Sequence, residues 1–240
     1  GPWVSSVDYE YIEEPDNTFE VLQKNINKKT YMRKFKAKTA NIYGGMRMGG
    51  NSYYALDVKD PTTPKFLFHV DAANGKIKSA TTGITSTSAN PALQAMGQSW
   101  SKPTLAKVRF NGTLRDVMIV GGGYDYNVYE NLQARSTSDK GAGVYMFDAK
   151  TGELLWNARY GTDNTSTTDV KNSTLKYSVV SQIKAFDRNA DGLVDNLYFG
   201  DLGGQVFRID LNNNLGTAKT SFGRVVRVAD FSAKKQRFYE

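Results

Sequence analysis

The chain contains no cysteine, a single histidine and only six prolines among its 240 residues. Without cysteine there is no disulfide framework, no thiolate metal site and no thiol nucleophile. One imidazole, His69, leaves no room for a His-rich metal centre or for paired imidazole acid–base chemistry. Long apolar runs are missing too, since no stretch approaches the ~20 residues that a membrane-spanning helix needs. No signal-peptide pattern opens the chain, and Gly1-Pro2 reads as the scar of a cleaved tag, so the missing leader says nothing about location. What is present suits a globular protein: 40% apolar and 23% charged residues, on a chain long enough for one large or two small domains.

Acidic residues are scarce where basic ones cluster. The formal charge of +7 comes from 31 Lys+Arg against 24 Asp+Glu. Asp8, Glu10, Glu13, Glu14, Asp16 and Glu20 make the start acidic, whereas Val21 to Leu56 holds no acid. Lys24, Lys28, Lys29, Arg33, Lys34, Lys36, Lys38 and Arg47 fall in that stretch. Such a field would attract nucleic acid or an anionic surface; the plainer reading is the solvated face of a basic protein.

The strongest organisation is a repeated strand grammar. SWSKPTLAKVRF is followed by Asn111-Gly112 and then by TLRDVMIVGGG. Asn-Gly between two β-rich runs predicts a hairpin, because both residues tolerate the positive φ of a type I′ turn. After an insert at about 124–140, GVYMFDAK, Thr151-Gly152 and ELLWNARY predict a second hairpin. The pattern recurs as YSVVSQIKAF (177–186), NLYFGDLGG (196–204), QVFRIDLNN (205–213) and RVVRVADF (224–231). An upstream copy runs through NIYGGMRMGG (41–50), NSYYALDV (51–58) and KFLFHVD (65–71), with its first strand sought within Thr30–Lys38. Asp57, Asp148 and Asp210 then occupy equivalent places.

Three four-stranded units with glycine-rich turns predict an all-β chain of β-propeller blades, with a β-sandwich as the alternative. Three blades do not close a ring and would leave open strand edges. The expectation is therefore part of a larger propeller over residues 39–240, preceded by a poorly matched segment at 1–38. The best candidate for a helix is Thr18–Asn27, where Phe19, Leu22 and Ile26 form a weak apolar face.

One turn breaks the pattern. Between the first two strands of the last unit stands Asp187-Arg188-Asn189-Ala190-Asp191-Gly192-Leu193-Val194-Asp195. Oxygen-bearing side chains at positions 1, 3, 5 and 9, with glycine at 6, match the front of an EF-hand calcium loop. Ca²⁺ takes six to eight hard oxygen ligands, and alternating acidic positions in a tight loop converge them on one point. The expected ligands are Asp187, Asn189, Asp191, the Leu193 carbonyl and Asp195. Tyr198 stands where an EF-hand has its twelfth-position glutamate, so Asp195 must coordinate directly and water must complete the shell. An ordinary Asx-rich turn is the bland alternative.

Other candidates are weaker. Gly121-Gly122-Gly123 has neither the spacing nor the Lys-Ser/Thr of a phosphate loop and reads as a tight turn. Ser99 and Ser101 satisfy no nucleophile motif. His69, alternating with Phe66 and Phe68 in FLFHVD, reads as a structural histidine. Tyr124, Tyr126 and Tyr129 either form an aromatic binding surface or pack the insert onto its blade. The stretch Thr162–Thr174 reads as a polar loop. DAKTGELLW is similar to the quinoprotein blade repeat, which implies shared architecture without a quinone site.

In order, YGGMRMGGNSYYALDV (43–58), GQSWSKPTLAKV (97–108), DVMIVGGGYD (116–125), DRNADGLVDNLYFGDLGGQVFRIDL (187–211) and QRFYE (236–240) resemble the C-terminal β-propeller of the PilC/PilY family of type IV pilus proteins. The resemblance runs from about Thr39 to the end. It implies a non-enzymatic, exported protein of Gram-negative bacteria, at the periplasm, outer membrane or pilus tip. Such a protein opposes pilus retraction and acts in adhesion and twitching motility, with pilin or minor pilins, a host-cell or surface ligand and the remaining blades as partners. The same resemblance implies Ca²⁺ at Asp187, Asn189, Asp191, the Leu193 carbonyl and Asp195. No Arg-Gly-Asp triplet is present, so integrin-type adhesion does not carry over. The competing expectation is a nucleic-acid-binding module of the DNA-uptake machinery using the basic 24–47 segment.

Overall fold

The computed structural model describes residues 2–12, 34–214 and 222–234. Among them, three sheets follow one another along the chain. The first contains β1 (Trp3–Ile12), β2 (Lys34–Gly45), β3 (Ser52–Asp57), β4 (Lys65–Asp71) and β5 (Lys76–Ser79), in that spatial order. The second contains β6 (Thr104–Phe110), β7 (Thr113–Gly121), β8 (Val144–Asp148), β9 (Leu154–Tyr160) and β10 (Asp169–Asn172), again in sequence order. The third contains β11 (Lys184–Phe186), β12 (Asn196–Gly200), β13 (Gln205–Leu211) and β14 (Gly223–Asp230). No sheet closes on itself, and each is a meander of neighbouring antiparallel strands; only β10, which lies parallel to β9, departs from this. The chain is an all-β partial propeller.

The strand grammar holds in the second and third sheets and needs correction in the first. The first strand is not within Thr30–Lys38. Lys34–Lys38 opens β2, which is continuous across residues 38 and 39, and the edge strand beside it is β1. The expected equivalence of the three aspartates survives, because Asp57, Asp148 and Asp210 each stand at or next to the end of a third strand. In the last unit only Lys184–Phe186 of the expected first strand is extended into a ladder. The polar stretch 162–174 is not simply a loop. Asp169 accepts two hydrogen bonds from the Arg159 guanidinium, at 2.9 and 3.0 Å, and one from Asn157 Nδ2 at 2.9 Å, which fasten β10 to β9. The helix expected at Thr18–Asn27 lies outside the described residues. Among the described residues two short α-helices occur elsewhere, α1 (Pro91–Gln94) and α2 (Tyr126–Tyr129), each started by an Asx N-cap, and a 3-10 turn spans Ser232–Lys234.

The middle sheet explains why the pattern is so apolar at its centre. All five residues of β8, Val144 to Asp148, are buried. Met118, Val120, Tyr145 and Phe147 pack with Tyr43, Tyr53, Phe68 and Val70 of the first sheet. Val117, Ile119, Met146 and Trp156 pack with Leu197, Phe199, Phe207 and Ile209 of the third. A sheet covered on both faces has no polar side to alternate with, so its strands read as continuous apolar runs. Each such side chain contributes roughly 1.5–3 kcal/mol by leaving water. The phenols that reach between sheets are satisfied at their far ends: Tyr43 donates to the Ala149 carbonyl at 2.8 Å, and Tyr53 to that of Ser101 at 2.9 Å.

The free edge of β6 is occupied. Ser101 Oγ donates to the Ser181 carbonyl at 2.8 Å, Gln182 Nε2 to that of Pro103 at 3.1 Å and Thr104 Oγ1 to that of Ile183 at 2.5 Å. These bonds zip the middle sheet to the chain entering the third and cover an edge that would otherwise invite aggregation.

Candidate metal centre in the 187–195 loop

The loop joins β11 to β12 and is built in two halves. Asp187 to Gly192 are exposed, whereas Leu193 and Val194 are buried at 8% and 7% exposure, with Val194 in the cluster between the second and third sheets. Ala190 at φ +57° and Gly192 at φ +85° provide the left-handed turns that fold the exposed half back. Side-chain oxygens then accept backbone N–H groups across the turn. Asp187 Oδ2 accepts from Gly192 N at 2.7 Å, Asp191 Oδ1 from Leu193 N at 2.9 Å and Asp195 Oδ2 from Arg188 N at 2.7 Å. Asn189 Oδ1 accepts from Asp191 N at 3.3 Å, and its amide donates to Asp191 Oδ2 at 3.3 Å.

The result is convergence. Carboxylate oxygens of Asp187, Asp191 and Asp195 all lie within 4.8 Å of one another. Among the described residues no Lys or Arg side chain forms an ion pair with them. Arg188, the nearest in sequence, sends its guanidinium to the Tyr198 hydroxyl at 3.1 Å. Three like charges in this space repel, and a hard divalent cation is the group that relieves them. The donor set, three carboxylates and one amide oxygen with no sulfur or imidazole, fits Ca²⁺ chemistry. Tyr198 is already in β12, with its ring edge-on to Phe186 at 5.5 Å, so the loop ends where the ladder resumes and a twelfth-position ligand has no place in it.

The remaining candidates are absorbed into packing. Ser99 Oγ donates to the Gly50 carbonyl at 3.0 Å and accepts from Met46 N at 2.8 Å. Ser101 Oγ accepts from Gly121 N at 2.9 Å besides its bond to Ser181. The glycine triplet is a close approach: a Cβ on Gly121, Gly122 or Gly123 would stand 2.6, 2.4 or 2.3 Å from a neighbouring carbonyl oxygen. His69 lies flat on Tyr54, with centroids 4.2 Å apart, and its Nε2 is 3.1 Å from Ser52 Oγ. The bulge opposite Ala55–Leu56 leaves Phe66 exposed while Phe68 faces the core, which breaks the strict alternation expected there.

Tyr124 and Tyr129 pack the insert onto its blade. Tyr124 is buried between Trp100, at 4.1 Å, and Tyr129, at 5.6 Å, and the Tyr129 hydroxyl donates to the buried Asp139 at 2.5 Å. Tyr126 remains on the surface. Arg47, from the basic segment, lies 5.5 Å from the Trp100 ring centre, and residues 24–33 fall outside the described residues. Sequence reasoning missed Asp201, which is wholly buried although it sits in a glycine-rich turn. Its surroundings are three N–H donors: Gly203 N at 3.0 Å, Gln205 N at 2.9 Å and Gln205 Nε2 at 2.8 Å.

The geometry can be set beside known proteins. The sequence profile of the family described as the PilY1 beta-propeller domain matches residues 17–230. The chain belongs to this PilY1 β-propeller family. Its relatives include the type IV pilus biogenesis factor PilY1 of Pseudomonas aeruginosa strain PAO1, 30% identical over 170 residues. That alignment takes in 71% of this chain and 11% of the relative. The PilY1 of strain UCBPP-PA14 is 27% identical over 173 residues, covering 72% and 11% of the two chains. The crystal structure of the Pseudomonas aeruginosa PilY1 C-terminal domain superposes with a TM-score of 0.51 at 24% identity. It covers 78% of this chain and 32% of that one, a likeness of fold. Among the described residues no helix is long and apolar enough to cross a membrane.

Proposed function

We propose that this PilY1-type propeller segment is a calcium-ordered, non-enzymatic module of a type IV pilus biogenesis factor. The observation that carries the reading is the gathering of three carboxylates within 4.8 Å, with no Lys or Arg side chain in an ion pair with them among the described residues. Asp187, Asn189, Asp191, the Leu193 carbonyl and Asp195 would hold the ion, which neutralises the loop and joins its exposed half to its buried half. In the longer protein this module would sit at the periplasm, outer membrane or pilus tip and contact pilin or minor pilins, remaining blades and a surface ligand. There its calcium state would bias the balance between pilus extension and retraction, and with it adhesion and twitching.

Calcium titration by calorimetry tests the reading. The wild-type chain is expected to bind one Ca²⁺ in the presence of excess Mg²⁺. Asp191→Ala is expected to lose more affinity than the about 10–100-fold typical of second-shell substitutions. Equal heats from the two proteins, or none from the wild type, would refute the assignment.

A further inference from the structure

The buried half of the loop is bolted to a different sheet from the one that carries it. Val194 N donates to the Lys107 carbonyl of β6 at 2.9 Å. The Val194 carbonyl accepts from Asn213 Nδ2 at 2.8 Å. Asn213 Oδ1 in turn accepts from Arg109 N, two residues further along β6, at 2.9 Å. Asn213 lies just past the end of β13 and is buried at 7% exposure, with both ends of its amide engaged. The flanking residue Asp195 is tied to the third sheet itself: its N–H donates to the Phe186 carbonyl at 2.8 Å, and its carbonyl accepts from Leu211 N at 2.9 Å. Position 9 of the loop is thus held by the third sheet, and position 8 by both: its N–H by the second and its carbonyl by Asn213, which bridges the two.

We propose that Asn213 is a positioning residue that couples occupancy of the 187–195 loop to the seam between the middle and last sheets; this rests on the calcium reading above. The physical argument concerns which part of the site is already in place. Asp195 and Leu193 bracket Val194, whose N–H and C=O are both fixed from outside the loop. The other donors, Asp187, Asn189 and Asp191, are exposed and bonded only to one another and to loop backbone. Fixing the buried half preorganises two of the five ligands and lowers the ordering cost of binding. Coupling is reciprocal, so an ion that tightens the loop must also tighten the bonds from Val194 to Lys107 and from Asn213 to Arg109. Arg109 is remote from the ligands in sequence and lies on another sheet, so its amide reports the seam and not the loop.

The test uses the whole 240-residue chain with CaCl₂ as the probe. Hydrogen exchange of the wild type is expected to slow at Arg109 and Val194 when Ca²⁺ is added, and to be insensitive to Ca²⁺ at both in Asp191→Ala. Asn213→Ala, which touches no ligand, is expected to weaken calcium binding about tenfold, as second-shell substitutions do. A merely structural Asn213 would lower the melting temperature equally with and without Ca²⁺ and leave the affinity alone. Unchanged exchange at Arg109, or unchanged affinity in Asn213→Ala, overturns the coupling while leaving the calcium site intact. A flat wild-type isotherm overturns both readings and is distinguishable from that result. If Asn213→Ala does not fold, the Arg109 exchange of the wild type decides alone.

Discussion

Two connections occupy the same place in successive sheets and could hardly differ more. Asn111-Gly112 turns β6 into β7 with two residues, at φ +49° and +76°, the mirror-image geometry that matches strand twist. The counterpart between β11 and β12 spends nine residues, Asp187 to Asp195, on the same reversal. The first shows that the fold needs only a minimal hairpin there. The extra length in the second therefore serves something other than closing the sheet. Its apolar side chains on the buried half wedge into the seam between sheets, and the oxygen donors on the exposed half serve, under the function proposed above, to gather a cation.

Excision breaks the comparison most severely. Replacing residues 187–195 by Asn-Gly should abolish calcium binding. It also removes Leu193 and Val194 from the interior, and each such burial is worth roughly 1.5–3 kcal/mol. A loss of about 3–6 kcal/mol in urea denaturation is expected on that basis. A variant as stable as the parent would mean the loop is an appendage, equivalent to the Asn111-Gly112 turn with decoration.

The second turn of the same sheet sharpens the point about charge. Asp201, between β12 and β13, is an aspartate with no exposure, and burial is the main cause that pushes its carboxyl up to about 6 from an ordinary 3.8, despite its N–H donors. The folded pKa lies above the unfolded one, so the stability this group allows is full below about pH 4 and falls as pH rises towards about 6. A shift of about two units corresponds to about 3 kcal/mol lost by pH 7. The depressed carboxyls of Asp169, beside Arg159, and Asp210, beside Arg208, work in the opposite sense at lower pH. His69, whose pKa burial lowers, works in the opposite sense within the same window, so only the difference between variant and wild type isolates Asp201. The fall in unfolding free energy attributable to Asp201 between pH 4.5 and 7 should disappear in Asp201→Asn, leaving that variant relatively more stable at pH 7 than at pH 4.5 when each is compared with the wild type. Equal pH dependence would show that the N–H donors fully offset burial. The loop aspartates also accept backbone N–H groups, yet three carboxylates gathered within 4.8 Å stay crowded, and on the proposed reading a cation completes what those donors begin.

Much of this was legible in the residues. The Asn-Gly hairpin, the recurring aspartates of third strands and the convergence of Asp187, Asp191 and Asp195 are local patterns set by turn geometry, and the structure has all three. What escaped notice was long-range. β1 pairs with β2 across a wide gap in sequence, which no local periodicity announces. β10 is mostly polar, because the Arg159–Asp169 pair fastens it and Val170 alone of its residues packs against the core. Asn213 sits in the run Asn212-Asn213-Asn214, indistinguishable from a solvated turn until the fold brings β6 beside it. Asp201 was hidden for a similar reason, since glycine-rich turns are usually wet.

The finest test compares the glycines of the two connections. Gly112 and Gly192 both have positive φ, +76° and +85°. Alanine at either position costs about 1–2 kcal/mol of backbone strain. At Gly192 an added Cβ meets nothing within 4 Å, so strain is the whole effect. In the two-residue turn the strain has nowhere to relax, and Gly112→Ala should lower unfolding free energy by that amount with or without Ca²⁺. In the longer loop the exposed half can relax away from the turn when no ion holds it. Gly192→Ala should therefore leave stability in chelator nearly unchanged and weaken calcium binding about 5- to 30-fold, the same strain expressed as affinity. A Gly192→Ala variant destabilised in chelator as much as Gly112→Ala would show that the loop is rigid before the ion arrives. Calcium would then fill a finished site and have no ordering left to transmit.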